Sequence, residues 1–386
     1  MTKTPLPTWP HVPRHRLAQQ YLAPVLEFGV RAITLFGGRG IGKTAFICKD
    51  LIPLAQQRGF LCVYVDLWEC PEGPAIGIAR ALETAAIQDK STKTGALART
   101  AKRLLPASLS DVSTDVEFMG QKAALKLGFK SNDRSPPVDG ARLLGSFESL
   151  VKTAGKRQIL LVLDEAQTLA SPSHEALVKA LRACFQRYDA QIVRVFTGSS
   201  RMGLERMFRR SRAPLFGQGG NVETFPPLGK EFVTEIVTWF AQRTGGAELG
   251  EQAAGAGFAK LRYSARLFRA AVETLLIGRA STITVACHRV MHDLVEDHEL
   301  KSRLGTLTDL QWAVLKVVWQ QGTDLFGART LTRISKQLGR QVDPAQIQTA
   351  LKRLERLELI YRLEHGEYRI ELSELELILE NIVGEA

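Results

Sequence analysis

The chain has 386 residues, a formal net charge of +11, 45% hydrophobic and 24% charged residues. That length favours two or three domains, and the composition is ordinary for a soluble globular protein. No run reaches the ~18 uninterrupted apolar residues a membrane-spanning helix needs, and the Pro-rich, basic start MTKTPLPTWPHVPRHR lacks the apolar stretch of a secretory signal. Five scattered cysteines (Cys48, Cys62, Cys70, Cys184, Cys287) form no CxxC pair. They suit a reducing, cytoplasmic compartment and argue against a disulfide framework or a zinc site. Between residues 90 and 157, Lys and Arg outnumber Asp and Glu by 13 to 6, whereas residues 301–386 carry 12 of each. The excess charge therefore sits in the first part of the chain, where polyanion binding is expected.

In chain order, residues 1–16 read as a flexible lead-in. Leu17 to Phe28 has apolar residues at the helical period, and RAITLF (31–36) is a short apolar strand running straight into glycines. A helix is expected from Ala45 to Ala55, a second buried strand at FLCVYVDL (60–67) and a helix from Gly77 to Ile87. Residues from about 89 to 140 are irregular and read as an insertion, with hints of strands or a hairpin in Val116 to Lys130. Helix and strand then alternate: Gly140 to Ala154, the strand in QILLVLDEAQ (158–167), His174 to Tyr188, the strand in QIVRVFTGSS (191–200), and a last short strand in GNVETFPPL (220–228). Continuous apolar strands separated by amphipathic helices indicate an α/β fold with a parallel sheet covered on both faces. Residues 230–300 look all-helical. Three further helices (308–320, 329–338, 344–357) and two short strands, LIYRLE and EYRIEL around His365-Gly366, follow the winged-helix plan.

The chemistry starts at Gly37-Gly38-Arg39-Gly40-Ile41-Gly42-Lys43-Thr44, which satisfies G-x-x-x-x-G-K-[ST] between a strand and a helix. Glycines let backbone N–H groups face a phosphate chain, and the helix opening at Ala45 adds its positive end. Lys43 is expected to reach the β- and γ-phosphates of ATP, and the Thr44 hydroxyl to ligate Mg²⁺. The strand ILLVL then ends in Asp164, suited to hold Mg²⁺, and Glu165, placed to orient or deprotonate an attacking water. Thr197, with Ser199 behind it, ends the next strand and is the expected γ-phosphate sensor. Arg201, Arg206, Arg209, Arg210 and Arg212 crowd one segment, and Arg212 or Arg210 is the candidate arginine finger. Arg266, in Ser264-Ala265-Arg266-Leu267, is placed to couple the nucleotide to lid position. His288 and His292 stand four residues apart beside Cys287, but no third metal ligand follows. On the third helix of the C-terminal module, Ile347, Leu351, Leu354 and Leu357 form the buried stripe. Gln346, Gln348, Thr349, Lys352, Arg353 and Arg356 project elsewhere and suit DNA edges and phosphates, although the tail ELSELELILE is acidic.

On GGRGIGKT, LLVLDEAQ, VFTGSS, RMFRRSRAPLFGQ before a Pro-Leu turn, SARLF and a terminal winged helix, the chain resembles the AAA+/STAND group of P-loop ATPases. Within that group it is similar to the archaeal-type ATPases and the origin-recognition initiators, over roughly residues 15–375. It departs from them at Pro13-Arg14-His15-Arg16, in place of an acidic or Arg-Glu signature, and at Phe216-Gly217-Gln218, in place of aromatic-Gly-Arg. The resemblance implies a P-loop core (17–229), a helical lid (230–303) and a winged-helix domain (304–386). It also implies a switch that hydrolyses ATP, as a homo-oligomer with arginines acting in trans. Two functions fit: an ATPase acting on or near double-stranded DNA in replication, transposition or mobile elements, or a signalling or defence ATPase whose winged helix docks a partner protein or autoinhibits. Neither involves a membrane.

Overall fold

A computed structural model describes residues 9–70, 73–101, 140–209, 213, 215–295, 298–362, 366–371 and 373–384. The run from Val116 to Lys130 lies outside the described residues, as do Arg210 and Arg212.

Helix α1 (His15–Phe28) precedes strand β1 (Ala32–Phe36), and the glycine loop leads into helix α2 (43–57). That helix carries a π-turn at Ile47–Leu51 between its first turn, Lys43–Phe46, and its last part, Ile52–Gln57. Strand β2 (Leu61–Asp66), helix α3 (Pro74–Ala101), helix α4 (Gly140–Ala154), strand β3 (Ile159–Asp164), helix α5 (Glu175–Arg187) and strand β4 (Ile192–Gly198) follow. Helix α6 (Arg201–Phe208) and strand β5 (Val222–Thr224) complete this part. Helix α3 is longer than the sequence pattern indicates, because its helical backbone continues past Ile87 into the polar run that breaks the apolar period.

The five strands pair in parallel in the order β2-β3-β4-β1-β5. Every residue of β3 and of β4 is buried, which explains their unbroken apolar runs. Along β3 the side chains alternate between two cores. Ile159, Leu161 and Leu163 pack with Phe147, Leu181 and Phe185 on one face. Leu160 and Val162 pack with Leu22, Phe46, Ile47 and Leu51 on the other. The order puts β4 between β3 and β1, so the carboxyl ends of all three strands open at one edge, where parallel sheets bind ligands.

A middle set of helices follows: α7 (Lys230–Arg243), α8 (Glu251–Lys260), α9 (Ala265–Leu276), α10 (Ile283–Val295) and α11 (His298–Gly305). They close around Phe232, Phe258 and Phe268, whose rings touch one another. The C-terminal module comprises α12 (Asp309–Gln320), α13 (Ala328–Leu338), α14 (Pro344–Arg356), the antiparallel strands β6 (Ile360–Arg362) and β7 (Tyr368–Ile370), and helix α15 (Ser373–Gly384). Gln346, which the sequence offered as a projecting side chain, is instead half of a capping box. Its N–H donates to Asp343 Oδ1 at 2.8 Å and its side chain accepts from the Asp343 N–H at 3.2 Å. The acidic tail is helix α15, and its Leu377 is buried in the core of the middle helices rather than in its own module.

The C-terminal module also grips the sheet edge. Arg201, opening α6, lies 5.9 Å from both the Phe36 ring at the end of β1 and the Tyr361 ring on β6. The Met202 N–H donates to the buried carboxylate of Glu371 at 3.2 Å. Burial pushes the Glu371 carboxyl up to about 7, against hydrogen bonds from Ser200 and Met202 that favour its ionised form. A pKa raised above its unfolded value of 4.5 means that the folded state binds the proton more tightly. The stabilisation is complete below that value and is lost as pH rises through about 7. Glu371→Gln should therefore leave the melting temperature near pH 5 little changed and raise it near pH 8, a relief of up to about 3 kcal/mol. Thermal denaturation of both proteins across that range checks this; parallel profiles would contradict it.

Candidate functional site

A cleft of about 630 Å³ opens where the glycine loop, the ends of β2 and β3 and helix α9 meet. Gly40 (φ 77°) and Gly42 (φ 100°) adopt left-handed backbone in the loop, which a side chain would strain. At Gly40 a Cβ would also lie 2.6 Å from Arg266 Cβ, so only glycine lets helix α9 approach this closely. The Arg266 N–H donates to the Gly40 carbonyl at 3.0 Å, which fastens α9 to the loop. Ser264 caps α9 by accepting from the Leu267 N–H.

Lys43 is buried, and its ammonium donates to the carbonyls of Gly37 at 2.5 Å and Gly38 at 3.1 Å. Burial lowers its pKa, while Glu165, Asp164 and Glu374 oppose that by favouring the charged form. The Asp164 carboxylate is fully buried and accepts from four sides. Thr44 Oγ1 donates to Oδ2 at 2.7 Å and the Tyr64 hydroxyl to the same oxygen at 2.9 Å. Thr197 Oγ1 and the Glu165 N–H donate to Oδ1. Tyr64 is held in its neutral, donating form by burial and by the adjacent Asp164 charge. A hydroxyl and a carboxylate in contact are hard oxygen donors of the kind Mg²⁺ takes, so Thr44 and Asp164 fit that ion.

Glu165 sits in left-handed backbone (φ 53°), uncommon for a residue with a side chain. This bend turns the chain out of β3 into the 3₁₀ turn Ala166–Ala170. Ser199 Oγ donates to Glu165 Oε2 at 2.7 Å, and Gln167 Nε2 donates to that same oxygen. The two hydroxyls at the end of β4 thus divide their partners: Thr197 goes to Asp164 and Ser199 to Glu165. Arg39 stacks over the exposed Trp68 ring at 4.1 Å on the cleft wall. Ala45 also lines the cleft, and Ile41 is buried in the core under it.

Several residues around the cleft escape sequence reasoning. Asp66 ends β2 directly opposite Asp164 in the strand register, and burial together with Asp164 raises its pKa. Both strands end in Asp, and that parallel was the available signal. Residues 9–14, expected within a flexible lead-in, pack against the cleft. Trp9 stacks on Trp239 with ring centres 4.3 Å apart, Arg269 donates to the Pro10 carbonyl at 3.1 Å, and His11 meets the buried Asp50 at 3.1 Å. Aromatic and cationic partners more than 200 residues away fix this segment, and no local pattern reveals them. His288 contacts Lys260 at 2.8 Å, and among the described residues no three or more His, Cys, Asp or Glu side chains gather as a metal-binding group. Nor is any described helix long and apolar enough to cross a membrane.

Residues 14–193 match the AAA ATPase domain family. The Walker-type ATPase PABY2304 of Pyrococcus abyssi is similar in structure, with a TM-score of 0.59 and 15% identity over 95% of this chain and 95% of that one. Residues 14–193 therefore carry an AAA ATPase domain. Weaker likenesses join it to the Aeropyrum pernix ORC1 protein in complex with DNA, with a TM-score of 0.41, 16% identity, and 97% and 95% of the two chains covered. Another is to Cdc6p from Pyrobaculum aerophilum, with a TM-score of 0.39, 17% identity, and 100% and 97% covered. No curated protein matches the chain by sequence.

Lys43 is the cation that the fold buries at the loop, so Lys43→Ala should weaken ATP binding by about two orders of magnitude while the chain stays folded. Calorimetric titration with ATP checks this, and retained affinity would contradict the placement of phosphates at the loop.

Proposed function

We propose that this ATPase binds Mg-ATP in the cleft between the sheet edge and helix α9, and acts on or near double-stranded DNA through a C-terminal winged helix. The observation that carries the hydrolytic part is the contrast between the two carboxylates at the end of β3. Asp164 accepts two donors on each oxygen and is fixed in place, whereas both hydrogen bonds given to Glu165 end on one oxygen, Oε2. Glu165 therefore accepts the proton of the attacking water as its oxygen bonds to the γ-phosphorus and the bond to ADP breaks. Lys43 balances the phosphate charge. Thr197 and Ser199 hold the two carboxylates in register, so a shift of β4 reaches both. Mg²⁺, when held by Thr44 and Asp164, neutralises phosphate charge. Loop residues 37–45 supply the backbone N–H groups, and Arg266 answers to the third phosphate. Arg210 or Arg212 is the proposed finger toward a neighbouring copy in a homo-oligomer.

The DNA part rests on charge and exposure. The chain carries a net charge of +11. On α14, Gln348, Lys352 and Arg356 are exposed and Arg353 is half-buried, while Ile347, Leu351 and Leu354 fill the module's core. A helix with an outward polar and basic face inside a small helical module suits a major groove. The grip of β6, β7 and α15 on the sheet edge favours a second reading, in which the module restrains the ATPase and a protein partner releases it.

ATP turnover with and without duplex DNA separates the two readings. The first expects stimulation that falls steeply between about 50 and 200 mM salt, as counterion release requires. Turnover indifferent to duplex at low salt would contradict it.

A further inference from the structure

The C-terminal helix brings a carboxylate to Arg266, which lines the cleft. Glu374, in the first turn of α15, pairs with Arg266 at 3.4 Å although 108 residues separate them. The Glu374 side chain is only 12% exposed. Its negative charge also reaches Lys43, where it favours the protonated ammonium. Arg266 is not a loose surface cation, because its own backbone is bonded to Gly40 in the glycine loop and its side chain lines the cleft. One carboxylate therefore pairs with Arg266 and acts through its charge on Lys43, and both cations line the cleft.

The rest of α15 holds Glu374 in place. Arg262 meets Glu380 at 3.4 Å and Glu376 at 3.9 Å, and Leu377 is buried among Phe258, Phe268 and Met291 of the middle helices. These contacts lie away from the cleft. They dock the helix, whereas Glu374 meets Arg266.

We propose that Glu374 is a nucleotide-specificity residue: with α15 docked, its carboxylate stands in for the γ-phosphate at Arg266 and Lys43, so the docked protein prefers ADP to ATP. ADP has no third phosphate to compete for these cations and leaves the pair intact. ATP brings a like charge to the same place, and it binds well only when Glu374 withdraws. A ligand that distinguishes two states shifts their balance by its difference in affinity, and the coupling is reciprocal. ATP thus loosens α15, and a partner that pulls α15 away raises ATP affinity. The proposal rests on the cleft being the ATP site.

The test is calorimetric titration of the full chain with Mg-ADP and with a non-hydrolysable Mg-ATP analogue. Glu374→Gln keeps the side chain's shape and removes its charge. It is expected to tighten analogue binding by about tenfold while ADP affinity stays within about twofold. Glu380→Gln weakens docking on the same helix through its pair with Arg262, and by the same linkage should shift the ratio toward the analogue by less than Glu374→Gln does. The idea fails if Glu374→Gln alters both nucleotides equally, or if Glu380→Gln shifts the ratio toward ADP. If the unaltered chain binds neither nucleotide, the cleft assignment fails first and the role of Glu374 goes with it.

Discussion

One buried carboxylate organises the ATPase. Asp164 accepts from Thr44 on the helix after the glycine loop, from Tyr64 on β2, from Thr197 on β4 and from the Glu165 backbone. Two neighbouring strands, the loop helix and β3 itself thus converge on two oxygens. A charge buried this deeply is tolerable because donors meet both of its oxygens. The arrangement needs β3 to lie between β2 and β4, and the strand order supplies that. Losing any one donor would leave part of a buried anion exposed to an apolar surround, so the four elements hold one another at fixed separation.

From this fixed point, the two hydroxyls of β4 make the site responsive. Thr197 reads Asp164 and Ser199 reads Glu165, and helix α6 begins at the next residues. The C-terminal module grips that same helix start through Glu371 and Tyr361. A rigid path of backbone hydrogen bonds and packed rings therefore runs from the carboxylates to the module. Helix α9 closes the opposite wall through the bond from Arg266 to Gly40. The module thus touches the start of α6 through Tyr361 and Glu371, and Arg266 of the cleft through Glu374.

Much of this was legible in the residues. The glycine loop, Asp164, Glu165, Thr197 and the fully buried strands announce themselves, because backbone curvature, metal-suited oxygens and two-sided burial each demand particular residue types. Helix α14 was visible from its apolar stripe at Ile347, Leu351 and Leu354. Other parts depend on distant partners and had no local signature. Trp9 is fixed by Trp239, Asp50 by His11, and Glu374 by Arg266. The tail ELSELELILE reads as a solvated acidic run until the middle helices supply Arg262 and a pocket for Leu377. Gln346 reads as a groove-facing side chain until its cap is seen. Helix α3 runs on beyond its apolar period because helical backbone does not require it.

In the proposed mechanism the two acids that end β3 differ: Asp164 holds the site together and, with Thr44, fits Mg²⁺, whereas Glu165 takes the proton of the attacking water. Phosphate release from saturating ATP by Glu165→Gln tests this most directly. The account expects turnover to fall by about two to four orders of magnitude with ATP affinity retained, the range that removal of a general base produces. Turnover within a few-fold of the unaltered chain would contradict it.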